Sequence, residues 1–105
     1  MVISVPKENV TNTSVWVRLN DHRFGQNIPG YFIQLELYSR FDQDQDIFIK
    51  RRNVTEVDLI KNLIHFTNLK PYRKYKIQGR EFAGTYISEV KTGRVTTKQA
   101  GMKFL

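Results

Sequence analysis

The 105-residue sequence has no cysteine, only three prolines, six glycines and one tryptophan, and no apolar run approaching the length of a membrane span. The missing cysteines exclude a disulfide framework and thiolate metal sites, while leaving the redox compartment open. A chain of this size buries roughly 65% of the surface it exposes when unfolded, so one hydrophobic core suffices without a staple. No stretch crosses a bilayer as a helix, and the start does not read as a signal peptide, so a secreted domain would carry its leader outside this sequence. The two histidines, His22 and His65, fall in different elements and lack metal-ligand spacing. No nucleophile, base and orienter can be assembled, and no nucleophile-elbow motif, phosphate-cradling glycine loop, paired carboxylates or Arg-Gly-Asp tripeptide is present. Nothing implies a cofactor or a catalytic site.

Charge is abundant and uneven. Residues 1–46 hold four basic and six acidic side chains, a net of −2, and residues 47–105 hold thirteen basic and four acidic, a net of +9. Such an asymmetry serves solubility, or it attracts an anionic partner such as a sulfated glycan, nucleic acid or an acidic protein surface.

Most of the chain alternates apolar and polar residues with a period of two, the pattern of half-buried strands. Val2, Ile3 and Val5 precede Pro6 as a short edge strand. Val15, Val17 and Leu19 then share one face, with Trp16 and Arg18 on the other. After a Gly- and Asn-rich loop over 20–30, Tyr31, Ile33, Leu35 and Leu37 form an inward set opposite Phe32, Gln34, Glu36 and Tyr38. Ile47, Phe48 and Ile49 make a short strand ending in Lys50-Arg51-Arg52. Residues 53–60 read as a loop and poor edge strand, although Val54, Val57 and Ile60 recur every three residues as a helix face would. Strands over 63–68 and 75–82 follow, then a tight turn at Ala83-Gly84-Thr85 and a last strand over 86–97. Three spaced aspartates, Asp42, Asp44 and Asp46, raise calcium, but Ile47 stands where an EF-hand loop needs glycine, so an acidic turn is expected.

Between the strands at 63–68 and 75–82 lies Asn68-Leu69-Lys70-Pro71-Tyr72-Arg73-Lys74-Tyr75. Its L-x-P-x-x-x-Y spacing, on Leu69, Pro71 and Tyr75, closely resembles the corner of the fibronectin type III module, in which a tyrosine hydroxyl bonds a main-chain group upstream. The resemblance covers roughly residues 3–97 and implies an all-β, seven-stranded antiparallel β-sandwich of immunoglobulin-like type, with the domain over 1–98 and a linker or tail over 99–105. Three positions depart from the family pattern. Leu19 stands where the family carries a core tryptophan, the only tryptophan being Trp16. Gly79 and Glu81 replace an apolar and a small residue, which calls for a bulge after Ile77 or for a large side chain from the opposite sheet filling the space over Gly79.

The resemblance further implies a non-catalytic structural and protein-interaction module, one unit of a tandem array in a cell-surface receptor or adhesion protein. Its partners are then neighbouring domains of the same chain and a protein ligand, without nucleic acid and without membrane insertion by this segment. Three N-x-S/T sequons, at Asn9, Asn12 and Asn53, favour an extracellular glycoprotein, since seven asparagines would yield about one by chance. The alternative is binding of a heparin-like polyanion through Lys50, Arg51 and Arg52 with Lys74, Lys76 and Arg80. Trp16 on the outer face, flanked by Arg18, either stacks beneath that guanidinium or anchors a neighbouring domain or partner chain.

Overall fold

The computed structural model of the chain describes residues 1–42, 45–60 and 63–99. Eight strands occur among them: β1 Val2–Ser4, β2 Val15–Asn20, β3 Tyr31–Asp42, β4 Gln45–Val54, β5 Ile64–Phe66, β6 Lys74–Ala83, β7 Tyr86–Ile87 and β8 Lys91–Thr96. They form two antiparallel sheets. One has the order β1-β2-β5; the other runs β4-β3-β6, with β7 and β8 both pairing the far side of β6. This is the β-sandwich that the fibronectin type III resemblance implies, built from the half-buried strands that the alternating pattern predicts.

The alternation becomes the core directly. Val15, Val17 and Leu19 from β2 are wholly buried and meet Ile33, Leu35 and Leu37 from β3, with Ile64, Phe66, Tyr75 and Ile77 completing the layer. Burying an aliphatic side chain of this size stabilises by about 1.5 to 3 kcal/mol, and a slip of one residue in β2 or β3 would turn three of them into water.

Gly79 and Glu81 face inward with no register shift between β3 and β6, so the bulge is not used. Instead Ile3 of β1 fills the space. A Cβ on Gly79 would lie 2.8 Å from Ile3 Cδ1 and 3.0 Å from Leu35 Cδ2, and one on Gly93 would lie 2.9 Å from Ile3 Cγ2. Two glycines on neighbouring strands thus make the socket into which the opposite sheet inserts Ile3.

Several boundaries differ from the sequence reading. β4 continues through Lys50-Arg51-Arg52 to Val54, because β3 reaches Asp42 and supplies hydrogen-bond partners along almost its full length, with a shift between Leu37 and Tyr38. As an edge strand, β4 also lets long basic side chains reach water. The every-third-residue pattern at 54–60 is one turn of 3-10 helix at Val57–Leu59, closed by Asp58, whose carboxylate accepts the Thr55 N–H at 2.9 Å. Val57 and Ile60 on it are exposed, so the period marks no buried face. The last strand is broken into β7 and β8. Asp44 and, apart from Gln99, the expected tail over 99–105 lie outside the described residues.

Candidate interaction surface

The corner is the best-defined local structure. Leu69 is buried, Pro71 is exposed on the turn, and Tyr75 is buried with its hydroxyl accepting the Lys70 N–H at 2.8 Å. The upstream group is therefore an amide donor. Thr97, buried behind the turn, donates its hydroxyl to the Lys70 carbonyl at 2.7 Å and accepts the Arg73 N–H at 2.9 Å. The corner is thus tied from two sides, and it is structural.

The outer face of the larger sheet carries the charge. Cross-strand register aligns Gln34 with Arg80, Tyr38 with Lys76 and Arg40 with Lys74 across β3 and β6, and Lys76 with Arg94 across β6 and β8. Arg51 lies opposite Glu36 and joins the same face, whereas Lys50 and Arg52 lie opposite the core-facing Leu37 and Leu35. Of the six basic residues singled out in the sequence, Arg51, Lys74, Lys76 and Arg80 therefore share a surface, and Lys50 and Arg52 belong to the other side of β4. Arg40 and Arg94 also stand on that surface, positions that only the register identifies.

Acidic groups interrupt this face. Arg51 pairs with Glu36 at 2.8 Å, and Asp46 pairs with both Lys76 and Arg40. The hydrogen bond from Lys76 holds the Asp46 carboxyl below its usual range, opposed by partial desolvation and reinforced by the cations around it. Asp46 is thus committed to an ion-pair cluster. Arg52 is paired with Asp58 at 2.9 Å on the other side.

Trp16 lies half-buried on the outer face of the smaller sheet, opposite His65 of β5. The ring stacked on the indole is His65, with centroids 3.8 Å apart and planes within 9°. Arg18 is exposed and opposite Ser4. The aromatic pair covers the sheet surface between β2 and β5, which leaves less of the indole for a partner than an isolated tryptophan would offer.

The sequons differ in access. Asn53 is exposed on β4, where its Oδ1 accepts a bond from Gln34 Nε2 at 3.3 Å. Asn12 is half-buried. The Asn9 side-chain nitrogen is buried. A glycan must be joined at that atom, so of the three sequons Asn53 is open to one and Asn9 is not, where the chain folds back in a 3-10 turn at Lys7–Asn9.

At the opposite end from the corner, Glu81 is buried and accepts a hydrogen bond from the Tyr31 hydroxyl at 3.1 Å, and that hydroxyl accepts the Arg23 N–H at 2.9 Å. Burial, with Glu81 beside it, pushes the Tyr31 pKa up to about 12 against the opposing amide bond. An open cleft of about 330 Å³ lies next to it, lined by Phe24, Tyr31, Phe32 and Thr55 among others. Tyr31 is thus held neutral between a carboxylate and a loop amide, which fastens the loop over residues 21–30 to the end of the sheet.

No family model matches the chain, and no curated protein matches its sequence. Solved structures do. A computationally redesigned β-sandwich protein aligns with a TM-score of 0.69 at 20% identity, over 94% of this chain and 93% of that one. The crystal structure of FN3tt aligns with a TM-score of 0.53 at 19% identity, over 86% of this chain and 82% of that one. The chain is an antiparallel β-sandwich of the immunoglobulin-like class. Within that class its fold is fibronectin type III-like.

Proposed function

We propose that the chain is a non-catalytic spacing and protein-interaction module of the fibronectin type III kind, one unit of a tandem array in a cell-surface receptor or adhesion protein. The observation that carries this reading is that the first and last strands of the fold open toward opposite poles. Met1, just before β1, lies beside Gly79 and Glu81 toward the end of β6, whereas Lys98, just after β8, accepts the Tyr72 N–H at 2.9 Å and donates to Thr11 O at 3.1 Å, just before β6 begins. The ten residues of β6, at about 3.3 Å each, separate these poles by about 30 Å. A fold whose first and last strands open toward opposite poles can be joined end to end with neighbours, which leaves its sheet faces and edges for partners. The exposed Asn53 sequon agrees with an extracellular setting.

The test is binding of the labelled domain to cells pretreated with protease or with heparinase. Loss after protease and persistence after heparinase supports a protein ligand. The reverse supports a second reading, sulfated-glycan binding, which the shared face of Arg51, Lys74, Lys76 and Arg80 favours. On that second reading, reversing Lys74, Lys76 and Arg80 to glutamate lowers the salt needed to elute the domain from heparin, while reversing Lys50 and Arg52 changes it less. Glu36 and Asp46 within the face weigh against it. Absence of binding to untreated cells contradicts both readings.

A further inference from the structure

Strand register gathers four cations at the corner end of the larger sheet's outer face. Ser39 of β3 and Tyr75 of β6 lie opposite one another and are both buried, so Arg40 and Lys74, the next opposed pair, point outward. Lys74 is also opposite Thr96 of β8, and Lys76 is opposite Arg94. Arg40, Lys74 and Thr96 thus make one row across three strands, and Lys76 and Arg94 stand in the row beside it. Like charges directly opposite destabilise a sheet, and here two such pairs, Arg40 with Lys74 and Lys76 with Arg94, are neighbours.

One carboxylate answers them. Asp46 pairs with Arg40 at 3.3 Å and with Lys76, and it acts on Arg94 only at longer range. Among the described residues no carboxylate pairs with Lys74 or Arg94, both of which are exposed. The surface is hollow at this point. A cleft of about 350 Å³ is lined by Arg40, Lys74, Arg94 and Thr96 among others, and a second of about 210 Å³ shares Arg40 and Lys74 with it and is completed by Arg73 and the exposed Tyr72. Cations that repel one another across the sheet are therefore arranged round a space in which an anion can meet several of them at once.

We propose that this cleft binds a single sulfate or phosphate monoester group carried by a side chain of the protein ligand. Lys74 and Arg94 supply charge-assisted hydrogen bonds to the terminal oxygens, Arg40 shares its guanidinium between Asp46 and the ester, and the Thr96 hydroxyl is a further donor. A carboxylate offers two acceptor oxygens, whereas such an ester offers three terminal ones, which suits a lining with three cations. A polyanion is matched less well, because it needs cations spaced along its length, and on this face Asp46 holds Lys76 and Glu36 holds Arg51. The adjoining cleft beside Tyr72 takes the chain that carries the ester, and an aromatic carrier can lie against that ring. The inference rests on the protein-ligand reading above and names the group on that ligand which this face takes.

The experiment is an amide-resolved nuclear magnetic resonance titration of the full chain with three forms of one short peptide, bearing an unmodified tyrosine, a sulfotyrosine or a phosphotyrosine, at fixed ionic strength. At least one esterified form should bind about tenfold tighter than the unmodified peptide, with shifts centred on Arg40, Lys74 and Arg94, and preference between the two identifies the ester. Lys74→Gln and Arg94→Gln should each weaken that binding about fivefold, whereas Arg80→Gln and Lys50→Gln should change it by less than about twofold. Without peptide, Lys74→Gln should melt no lower than the wild type, since it removes a like-charge contact; a lysine that merely holds the sheet together would melt lower. Equal binding of the three peptides, or binding that both glutamine variants retain, overturns the assignment. So does a heparin tetrasaccharide that binds tighter than the sulfated peptide and moves Arg51 and Arg80 as well, which makes a glycan the occupant. Inorganic sulfate that matches the sulfated peptide at equal concentration also overturns it, leaving a site for the free ion. Should the cleft stay silent while protease-sensitive binding to cells persists, the cleft assignment falls and the module reading stands; if only heparinase removes binding to cells, the side-chain source falls with that reading.

Discussion

The hydroxyl of Tyr75 accepts the backbone N–H of Lys70 at 2.8 Å, five residues upstream, closing the turn that joins the two sheets. Tyr75→Phe keeps the ring in the core and leaves that partly buried amide without its acceptor. The expected loss is about 1 to 2 kcal/mol, read from denaturant melts of the two proteins. A change smaller than about 0.3 kcal/mol would show that the bond contributes nothing to the corner.

Ile3 over Gly79 is a second coupled pair. Gly79→Ala introduces a Cβ within 3.0 Å of three buried side chains, Ile3, Leu35 and Met1, which must all shift. Overpacking of this kind costs about 1 to 3 kcal/mol. In an Ile3→Val background the nearest offending methyl is gone, and the cost of Gly79→Ala should fall measurably in a double-mutant cycle. Equal costs in both backgrounds would mean that Ile3 does not occupy the socket.

Tyr31 gives a pH signature. Its folded-state pKa, about 12, stands above its ordinary value of 10.0, so its contribution to stability is fully present below pH 10 and is lost as pH rises toward 12. Melts across that window should show stability declining more steeply in the wild type than in Tyr31→Phe. Spectrophotometric titration of the tyrosines should likewise lose a late step in the variant. Parallel declines would mean that the hydroxyl is not held between Glu81 and the Arg23 amide.

The half-buried strands were legible because burial on one face of a strand imposes a period of two, and Val15, Val17, Leu19, Ile33, Leu35 and Leu37 obey it without exception; their assembly into a sandwich was legible only through the resemblance at the corner. The corner was legible because few spacings turn a chain between sheets with a proline and a tyrosine. Harder to read were features set by register between distant strands. Gly79 admits either a bulge or a large side chain from the opposite sheet, and only the pairing of β1, far away in sequence, shows that Ile3 fills the space. Arg40 and Arg94 join the basic face only through pairing with β6, while Lys50 and Arg52, adjacent in sequence to Arg51, leave it because neighbours in a strand point to opposite sides. The β4 edge did carry a signal: Ile47-Phe48-Ile49 breaks the alternation. Three consecutive apolar residues in a strand must be buried on both faces or leave some apolar surface exposed, and the sequence does not say which. Ser39 was equally visible as the next inward position after Leu37.

The central proposal, that this module binds a protein ligand, is tested most directly by binding of the labelled domain to cells pretreated with protease or with heparinase. Binding that protease abolishes and heparinase leaves intact is the expected result. Binding that heparinase abolishes and protease leaves intact, or no binding to untreated cells, would contradict it.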